Sequence, residues 1–276
     1  MDNTLMNYYQ DKKILITGAA SGIGEKLAQA FTRFGAHCIL WDINFPALEQ
    51  LQKKLACEHL DIYACDVRDV NSINSNAQLV LTKHSRIDIL INNAGIVYGK
   101  QFLEITDNDL QKIFAINTLA IFRTVKAFLP AMLQQQSGHI VTIASAAGLI
   151  GNAKMTDYSA TKFAAFGFDE SLRLEFKHGK IPLKTTIICP YYIDTGMFAG
   201  VKTRFSWLLP ILKEDYAVKK MINAIAKQKK RLIMPRFVNC IFLARILPVT
   251  WFDSLMTFFG IPNTMDDFTG RIKNKD

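Results

Sequence analysis

The sequence predicts a single α/β domain with a doubly wound, mainly parallel β-sheet and a helical C-terminal extension. Three observations predict this fold class. Short apolar runs of strand length alternate with stretches whose apolar residues recur at helical spacing. A glycine-rich turn joins the first run to the first helical stretch. The chain has 276 residues, 50% of them hydrophobic, and α/β folds of about 250 residues often form one domain.

Seven short apolar runs have the length of buried strands and end at turn residues. These predicted strands are Lys13–Thr17, Cys38–Trp41, Leu60–Cys65, Ile87–Ile91, His139–Ile143, Thr185–Cys189 and Arg231–Met234. Between several of these runs, apolar residues recur every three or four positions. The predicted helices are Glu25–Phe34, Ala47–Leu55, Leu110–Leu133, Ser159–Phe176 and Glu214–Lys227. The alternation predicts a parallel sheet with helices on both faces.

The chain shows no repeat, low-complexity tract or Pro/Gly/Ser-rich linker that would divide it. We therefore predict that residues 1–276 form one domain. After Pro190 the pattern loosens, and late insertions of this kind usually shape a substrate pocket. We expect that role for residues from about 190 to 235, and we assign residues from about 236 to 276 to the C-terminal extension.

The cysteines and histidines show no pattern of metal ligands. The five cysteines, Cys38, Cys57, Cys65, Cys189 and Cys240, are scattered without a CxxC pair, and we interpret them as buried thiols in a reducing compartment. The five histidines show no HExxH motif or paired spacing, so we predict no metal. The segment Met1–Gln10 is polar and has no basic start before an apolar run, unlike a signal peptide. We expect a cytoplasmic protein that is not secreted.

The net charge of +9 belongs mainly to the end of the chain, because residues 200–276 hold 14 basic and 6 acidic side chains. Within that part, Phe237–Ile261 is apolar but is interrupted by polar residues and a proline, which makes it a poor transmembrane segment. A basic segment beside an aromatic, apolar one fits peripheral contact with an anionic membrane surface. Packing of this tail on its own domain or on a second subunit is the alternative. No base-stacking platform accompanies the basic residues, so we expect no nucleic-acid partner.

The glycine-rich turn Thr17–Gly24 lies between the first strand and the first helix, where backbone amides can approach a pyrophosphate at the positive helix end. The residues predicted to contact the cofactor there are Gly18, Ser21, Gly22, Ile23 and Gly24. Asp42 ends the second strand, where a carboxylate accepts hydrogen bonds from the adenosine ribose and repels a 2′-phosphate. This arrangement predicts a Rossmann-type domain that binds NAD rather than NADP. The alternative for Asp42 is a cap of the next helix.

Four motifs occur in one order along the chain, each at the carboxyl end of a predicted strand or at the start of the next helix. They are the glycine spacing, Asn92-Asn93-Ala94-Gly95, Ser145, and Tyr158-Ser-Ala-Thr-Lys162. Over almost its whole length the chain thereby resembles the short-chain dehydrogenase/reductase family. The resemblance implies further cofactor contacts by Asn93, Ala94, Gly95, Asp66, Val67, Pro190, Ile193 and Thr195. Tyr191 stands where the family usually has glycine after the proline.

Oxidation of an alcohol or reduction of a carbonyl moves one proton alongside the hydride of the cofactor. Tyr158 can exchange that proton if its phenolate is stabilised. Lys162 lies four residues further along a predicted helix, and its positive charge, together with that of the oxidised nicotinamide, favours the phenolate. Ser145 can donate a hydrogen bond to the substrate oxygen. The resemblance further implies that Lys162 holds the nicotinamide ribose and that Asn117 keeps a water in a proton relay to Lys162. Each of the four also has an ordinary interpretation when taken singly. Tyr158 could be a half-buried helix aromatic and Lys162 a solvated helix charge. Ser145 could be a helix cap and Asn117 a turn residue.

Four further stretches resemble the retinol dehydrogenase and hydroxysteroid dehydrogenase branch of the family. They are Leu40–Asn44, Cys189–Phe198, and Ile246-Leu-Pro248 with Met265–Gly270. The resemblance implies a lipophilic alcohol or carbonyl substrate, such as a retinoid, a steroid or a long-chain hydroxy compound. Members of this branch typically have an N-terminal hydrophobic segment that associates with membranes, and we find none in Met1–Gln10. The stretches Leu110–Leu133 and Ser159–Phe176 resemble the family's dimer faces, which implies a homodimer or homotetramer.

Two questions stay open from the sequence alone. The aromatic and apolar residues Met197, Phe198, Phe205, Trp207, Leu208 and Leu209 lie where the family has its substrate lid, and could form a pocket wall or ordinary core. The alternative function is a catalytically silent member of the fold that binds nucleotide as a regulatory or scaffold protein. The intact set of Ser145, Tyr158 and Lys162 argues against it, because a binding module does not need all three.

Overall fold

We analysed a computed structural model of the chain, which describes residues 3–271. The ends of the predicted single domain, residues 1–2 and 272–276, lie outside the described residues. The central feature is one seven-stranded sheet in the order β3-β2-β1-β4-β5-β6-β7, in which every pair of neighbours is parallel. The strands are β1 Lys13–Thr17, β2 His37–Asp42, β3 Leu60–Ala64, β4 Ile89–Asn92, β5 His139–Ile143, β6 Lys184–Pro190 and β7 Arg231–Met234. The predicted parallel sheet is confirmed.

Helices cover both faces of the sheet, as the doubly wound prediction requires. The helices are α1 Asn3–Tyr9, α2 Gly22–Arg33, α3 Phe45–Leu55, α4 Val70–His84, α5 Asp107–Phe114, α6 Ala120–Gln134, α7 Thr156–His178 and α8 Glu214–Ala226. Residues of α1, α2, α3 and α8 share one apolar core with the sheet, and residues of α4, α6 and α7 share another with its opposite face. Strands buried on both sides explain the nearly continuous apolar runs in the sequence.

A π-helical segment, Ala115–Leu119, joins α5 to α6, so that Asp107–Gln134 forms one continuous helix of 28 residues. By length and composition alone, this helix could cross a membrane. Its residues Val125, Phe128 and Met132 are buried in the core against the sheet. We therefore treat it as a core helix of the domain.

The C-terminal extension packs beside the carboxyl end of the sheet. It contains a 3₁₀ segment, Arg236–Cys240, followed by α9 Ile241–Ala244, α10 Val249–Phe258 and a second 3₁₀ segment, Ile261–Asn263. Its inner side joins an apolar cluster with residues of β6 and β7. Its outer side exposes large apolar residues, namely Leu243, Ile246, Val249 and Trp251, at 68–79% of their full accessible area.

The structure contains two helices that we did not predict. Helix α1 has only seven residues, and it is attached by buried Leu5 and Tyr9, whose hydroxyl donates a hydrogen bond to the Ile222 carbonyl oxygen (2.6 Å). Helix α4 is rich in Asn and Ser, which weakens its apolar periodicity. Its N-cap is the Asp69 side chain, which accepts a hydrogen bond from the Asn71 amide.

The expectation that all five cysteines are buried is wrong for two of them. Cys38, Cys65 and Cys189 are buried, Cys57 is half-buried, and Cys240 is exposed. Cys240 lies in the first 3₁₀ segment of the extension, where only one side of the chain faces the core. All five are free thiols.

Candidate active site

A cleft of about 450 Å³ opens at the carboxyl ends of the central strands. This is where parallel α/β sheets bind their ligands. Among the predicted site residues, the cleft is lined by Gly18, Ser21, Gly22, Ile23, Asp42, Asp66, Val67, Asn93, Ala94, Gly95, Ser145, Tyr158, Lys162, Pro190, Ile193 and Thr195. Gly24 and Asn117 do not line it and lie just behind its wall.

The glycine turn has a backbone conformation and close contacts that residues with a Cβ atom would disrupt. Gly18 and Gly22 both have positive φ (65° and 56°), which favours glycine. A Cβ atom on Gly18 would lie 2.8 Å from the Ala94 Cα, and one on Gly24 would lie 2.1 Å from the Gly18 carbonyl oxygen. Gly24 therefore permits close packing of α2 on the turn, whereas Gly18 and Gly22 face the cleft.

The segment after β4 supports this turn from the other side. The Asn93 side-chain amide donates hydrogen bonds to the carbonyl oxygens of Thr17 (3.0 Å) and Gly18 (2.9 Å). In return, the Thr17 hydroxyl accepts hydrogen bonds from the backbone amides of Asn93 (3.1 Å) and Ala94 (3.2 Å). These four bonds fix the turn relative to β4.

Asp42 lies at the end of β2, at the edge of the cleft. One carboxylate oxygen accepts a hydrogen bond from the Ala20 amide in the glycine turn (2.9 Å), and the other accepts from the Asn44 amide (2.9 Å). The helix-cap alternative is wrong for Asp42, because it is Asn44 that caps α3 by accepting from the Ala47 amide (3.1 Å). A carboxylate offers about four acceptor positions, so Asp42 retains capacity for a ligand hydroxyl.

Asp66 and Val67 follow β3 and form the adjoining wall of the cleft. The guanidinium of Arg68 binds the Asp66 carboxylate in a fork, with nitrogen–oxygen distances of 2.6–3.0 Å. This pairing holds the pKa of Asp66 below its ordinary value. Arg68 also lines the cleft and was not among the predicted residues.

Tyr158 and Lys162 lie one turn apart on α7, and both side chains are buried at the base of the cleft. The Lys162 ammonium lies 5.6 Å from the centre of the Tyr158 ring and donates a hydrogen bond to the Ile143 carbonyl oxygen (3.0 Å). Burial lowers the pKa of Lys162 to about 8. Burial also raises the pKa of the Tyr158 phenol, against the lowering effect of a hydrogen bond with Ser145. Burial alone thus favours the neutral phenol, and the predicted stabilisation of phenolate includes the charge of the oxidised nicotinamide.

Ser145 begins the 3₁₀ segment Ala146–Gly148 immediately after β5. Its hydroxyl oxygen accepts a hydrogen bond from the Ala147 amide (3.1 Å), and the hydroxyl lies close enough to Tyr158 to lower the pKa of that phenol. The cap interpretation therefore applies to this residue, and it is compatible with the predicted catalytic role. The cap fixes the hydroxyl beside the phenol at the base of the cleft.

Asn117 is fully buried in the π-helical segment, so the interpretation as a turn residue is wrong. Its carbonyl oxygen accepts from the Ile96 amide (2.8 Å), and its amide group donates to the Ile96 carbonyl oxygen (2.9 Å) and to the Thr161 hydroxyl (3.1 Å). A Cβ atom on Gly95 would lie 3.4 Å from the Asn117 side-chain oxygen and 3.6 Å from the Lys162 ammonium. Asn117 thus fixes the loop at Gly95 and Ile96, which approaches Lys162. Short π-helical segments of this kind are frequent at functional sites.

Tyr191 connects the cleft to the C-terminal extension. It lines the main cleft, a small neighbouring cavity of about 40 Å³, and an apolar cavity of about 90 Å³ between the 3₁₀ segment Arg236–Cys240, α9 and α10. Its hydroxyl is buried without a hydrogen-bond partner among the described residues. Among the residues expected to form a pocket wall or ordinary core, Met197, Phe198 and Leu209 line these cavities, whereas Trp207 is 80% exposed and fits neither alternative.

Sequence reasoning missed a cation that the tail brings to the glycine turn. Arg271 lines the cleft, and its guanidinium donates a hydrogen bond to the Ser21 hydroxyl (2.8 Å). The tail is guided there by the lid, because the Thr269 amide donates to the Ala199 carbonyl oxygen (2.9 Å). The two partners are 250 residues apart, so no local pattern could have indicated the contact.

The family model of the short chain dehydrogenases matches residues 12–204, which include the glycine turn and the Ser145, Tyr158 and Lys162 set. The chain belongs to the short-chain dehydrogenase family. This dehydrogenase is an oxidoreductase with a small-molecule substrate, as the sequence predicts. Its seven-stranded sheet with helices on both faces is the Rossmann-type fold expected for the family.

Characterised relatives match this dehydrogenase over almost its whole length. It is 42% identical over 265 residues to human epidermal retinol dehydrogenase 2, covering 94% of this chain and 86% of the relative. It is 40% identical over 266 residues to bovine short-chain dehydrogenase/reductase family 16C member 6, covering 95% and 84%. Human retinol dehydrogenase 10 is 36% identical over 290 residues, covering 94% and 85%. The predicted likeness to the retinol dehydrogenase branch is confirmed.

Solved structures show the same fold. A short-chain dehydrogenase/reductase from Burkholderia phymatum in complex with NAD superposes with a TM-score of 0.78 at 24% identity, covering 86% of this chain and 94% of the other. A short-chain dehydrogenase from Streptomyces avermitilis superposes with a TM-score of 0.75 at 25% identity, covering 91% and 96%.

Proposed function

We propose that this dehydrogenase oxidises lipophilic alcohols with NAD and, in reverse, reduces the matching carbonyls. The observation that carries the proposal is the meeting of Ser145, Tyr158 and Lys162 at the base of the same cleft that the glycine turn lines. Relatives named as retinol dehydrogenases support a retinoid or a similar lipophilic alcohol as the substrate class.

The proposed chemistry assigns one task to each side chain. Tyr158 donates its phenolic proton to a carbonyl oxygen or, as phenolate, takes the proton of an alcohol. Ser145 donates a hydrogen bond to the same substrate oxygen, where negative charge develops. The nicotinamide, when bound, supplies or accepts the hydride. Lys162 holds the nicotinamide ribose and stabilises phenolate, and Asn117 orders the loop and a water beside Lys162.

The residues of the cleft fit a dinucleotide. Gly22 leaves space that a Cβ atom would fill, which suits the approach of a pyrophosphate to the backbone. Asp66 with Val67 forms the wall proposed for the adenine, and Pro190, Ile193 and Thr195 form the opposite end, proposed for the nicotinamide.

We propose NAD rather than NADP because the Asp42 carboxylate lines the cleft at the end of β2, a position at which a carboxylate accepts hydrogen bonds from the adenosine ribose and repels a 2′-phosphate. Replacing Asp42 with Ala and neighbouring Ile43 with Arg should raise the ratio of kcat/KM for NADP to that for NAD, since repulsion is removed and a cation is added. Ile43 is 63% exposed and lines the cleft, so arginine fits there without disturbing the core. Ile43→Arg alone is the matched control. An unchanged ratio in the double variant would show that Asp42 does not face the ribose.

The apolar cavity near α9 and α10 is the proposed site for the lipophilic part of the substrate. It lies beyond Tyr191 as seen from the catalytic side chains, and its lining is almost wholly apolar, with Leu209, Val238 and Phe259 among the walls. A substrate whose hydroxyl group lies beside Tyr158 would thus extend its lipophilic part towards the C-terminal extension. We propose that the lid at residues 190–235 and the extension at 236–276 both contribute walls to this pocket and belong to the same single domain.

The first experiment is NADH fluorescence during incubation of the purified protein with NAD and retinol, steroids, long-chain alcohols and small polar alcohols. We expect NADH with a lipophilic alcohol and a loss of at least about 100-fold in Tyr158→Phe, because that variant has no exchangeable proton. Tyr63→Phe, on β3 and outside the cleft, is the matched control. Binding of NAD without turnover in either direction would favour the silent nucleotide-binding protein.

We also propose that the outer side of the extension makes peripheral contact with anionic membranes in the cytoplasm. Its exposed apolar residues lie near the exposed cations Lys227, Lys229 and Lys230, whereas Arg231 is paired with Glu170 (2.8 Å). Co-sedimentation with anionic vesicles tests this contact, and Trp251→Asp in the exposed face should weaken it. Absence of sedimentation at low salt would refute it.

A homodimer or homotetramer formed through the α6 and α7 faces is the proposed assembly. Phe122 on α6 and Phe163 on α7 are 42% and 38% exposed, respectively, and could be covered by a second copy. Light scattering after size-exclusion chromatography measures the mass, and a monomer at micromolar concentration would contradict this assembly.

A further inference from the structure

Three of the five histidines meet at one edge of the sheet, although they are far apart in the sequence. His37 is the first residue of β2, His59 directly precedes β3, and His84 is the last residue of α4. Asp61, the second residue of β3, lies among them. Because these residues stand at the amino ends of parallel strands, the cluster is at the opposite edge of the sheet from the catalytic cleft.

The side chains converge on a single carboxylate oxygen. The Nε2 atoms of His37 and His84 lie 2.9 Å and 2.7 Å from the same Asp61 Oδ2 atom. One potential ligand atom from each of the three residues lies within 4.8 Å of the others. The rings of His37 and His84 are 4.6 Å apart, and the ring of exposed His59 is 5.8 Å from that of His37.

We propose that His37, Asp61 and His84 bind a structural zinc ion. Two imidazoles and one carboxylate are common zinc ligands, and a fourth position beside His59 is open to that ring or to water. In a tetrahedral site with bonds of about 2.0–2.1 Å, neighbouring ligand atoms lie about 3.3 Å apart. The hydrogen-bonded atoms of the cluster would therefore separate by only about half an ångström.

Zinc binds neutral imidazoles and an ionised carboxylate. Lys83 binds Asp61 through the other oxygen, Oδ1 (2.6 Å). The Oδ2 atom thus stays available to the metal. The nearby ammonium of Lys13 is engaged by the His84 carbonyl oxygen (2.6 Å).

The position of the cluster assigns a stabilising role to the ion. A metal held there links β2, β3 and the end of α4, and none of its ligands lines the catalytic cleft. We predicted no metal from local spacing, and this proposal departs from that prediction. Local spacing misses these ligands because more than 20 residues separate them along the chain, and β2, β3 and the end of α4 bring them together only in the fold.

The test titrates zinc into the purified full-length protein after chelator treatment and gel filtration, with bound zinc measured by atomic emission. We expect one zinc per chain, and an increase in Tm of about 5 °C or more once free zinc is about 100-fold above the dissociation constant. His37→Asn and His84→Asn should each abolish both effects, because asparagine keeps a polar side chain but not the zinc ligand.

Matched controls separate this site from adventitious ligands. His178→Asn removes an exposed histidine outside the cluster, and Cys240→Ser removes the exposed thiol, so both variants should retain the full response. NAD binding should be unchanged in every variant, which keeps this test independent of the proposed activity. Unaltered zinc stoichiometry in the His37 and His84 variants would overturn the site, as would an unchanged Tm in the wild-type protein.

Discussion

The strongest quantitative expectation concerns the buried charge of Lys162. Lys162→Met removes an ammonium 5.6 Å from the centre of the Tyr158 ring and preserves most of the side-chain volume. At an effective dielectric constant of about 20, a unit charge at that distance stabilises phenolate by about 3 kcal/mol, or about two pKa units. Phenolate should therefore form in the variant only at a pH about two units higher.

This shift has a direct kinetic consequence for alcohol oxidation, which needs phenolate as the base. The rising limb of kcat against pH should move up by about two units in Lys162→Met, and kcat at pH 7 should fall about 100-fold. NADH absorbance between pH 6 and pH 10 measures the profile. Lys177→Met, an exposed position on the same helix, is the matched control and should keep the native profile.

Lys162 is also proposed to hold the ribose, and the same experiment separates the two roles. Loss of ribose binding alone would raise KM for NAD and lower the rate equally at every pH, without moving the rising limb. An unmoved limb would therefore refute the electrostatic role. It would also indicate that the burial which raises the pKa of Tyr158 is relieved by another group.

Two further predictions concern groups that the catalytic scheme does not include. Arg271→Ala should raise the dissociation constant for NAD about tenfold at low salt, because the guanidinium beside Ser21 can pair with the pyrophosphate. Fluorescence titration measures this constant, and an unchanged value would place Arg271 outside the cofactor site. Burial raises the pKa of the Asp169 carboxyl to about 7, above its ordinary value, so native stability should fall as pH rises from about 4 to about 7 and then level off. The Tm advantage of Asp169→Asn over the native protein should grow across that window, and an equal advantage at pH 4 and pH 8 would contradict the assignment.

The strands and the catalytic side chains could be predicted because their signals are local. All seven predicted strands are present within about two residues, since buried parallel strands produce compact apolar runs. Tyr158 and Lys162 share one turn of one helix, and Ser145 directly follows a strand. Motifs at strand ends meet in space because parallel strands share one carboxyl edge.

The features that were missed depend on contacts between distant parts of the chain. Arg271 reaches Ser21 only after the tail has packed along the lid. Helix α1 is too short for a periodicity signal and is held by the buried Tyr9.

The uneven exposure of the cysteines provides a means of observing the extension directly. Burial raises the pKa of Cys38 and Cys189 to about 12 and that of Cys65 to about 11, so these thiols hold almost no reactive thiolate near neutral pH. Cys240 is exposed and also lines the apolar cavity beyond Tyr191. A maleimide fluorophore should therefore attach preferentially at Cys240 in the native sequence. Its emission would report, in real time, when a lipophilic molecule enters that cavity or when the face around it leaves water.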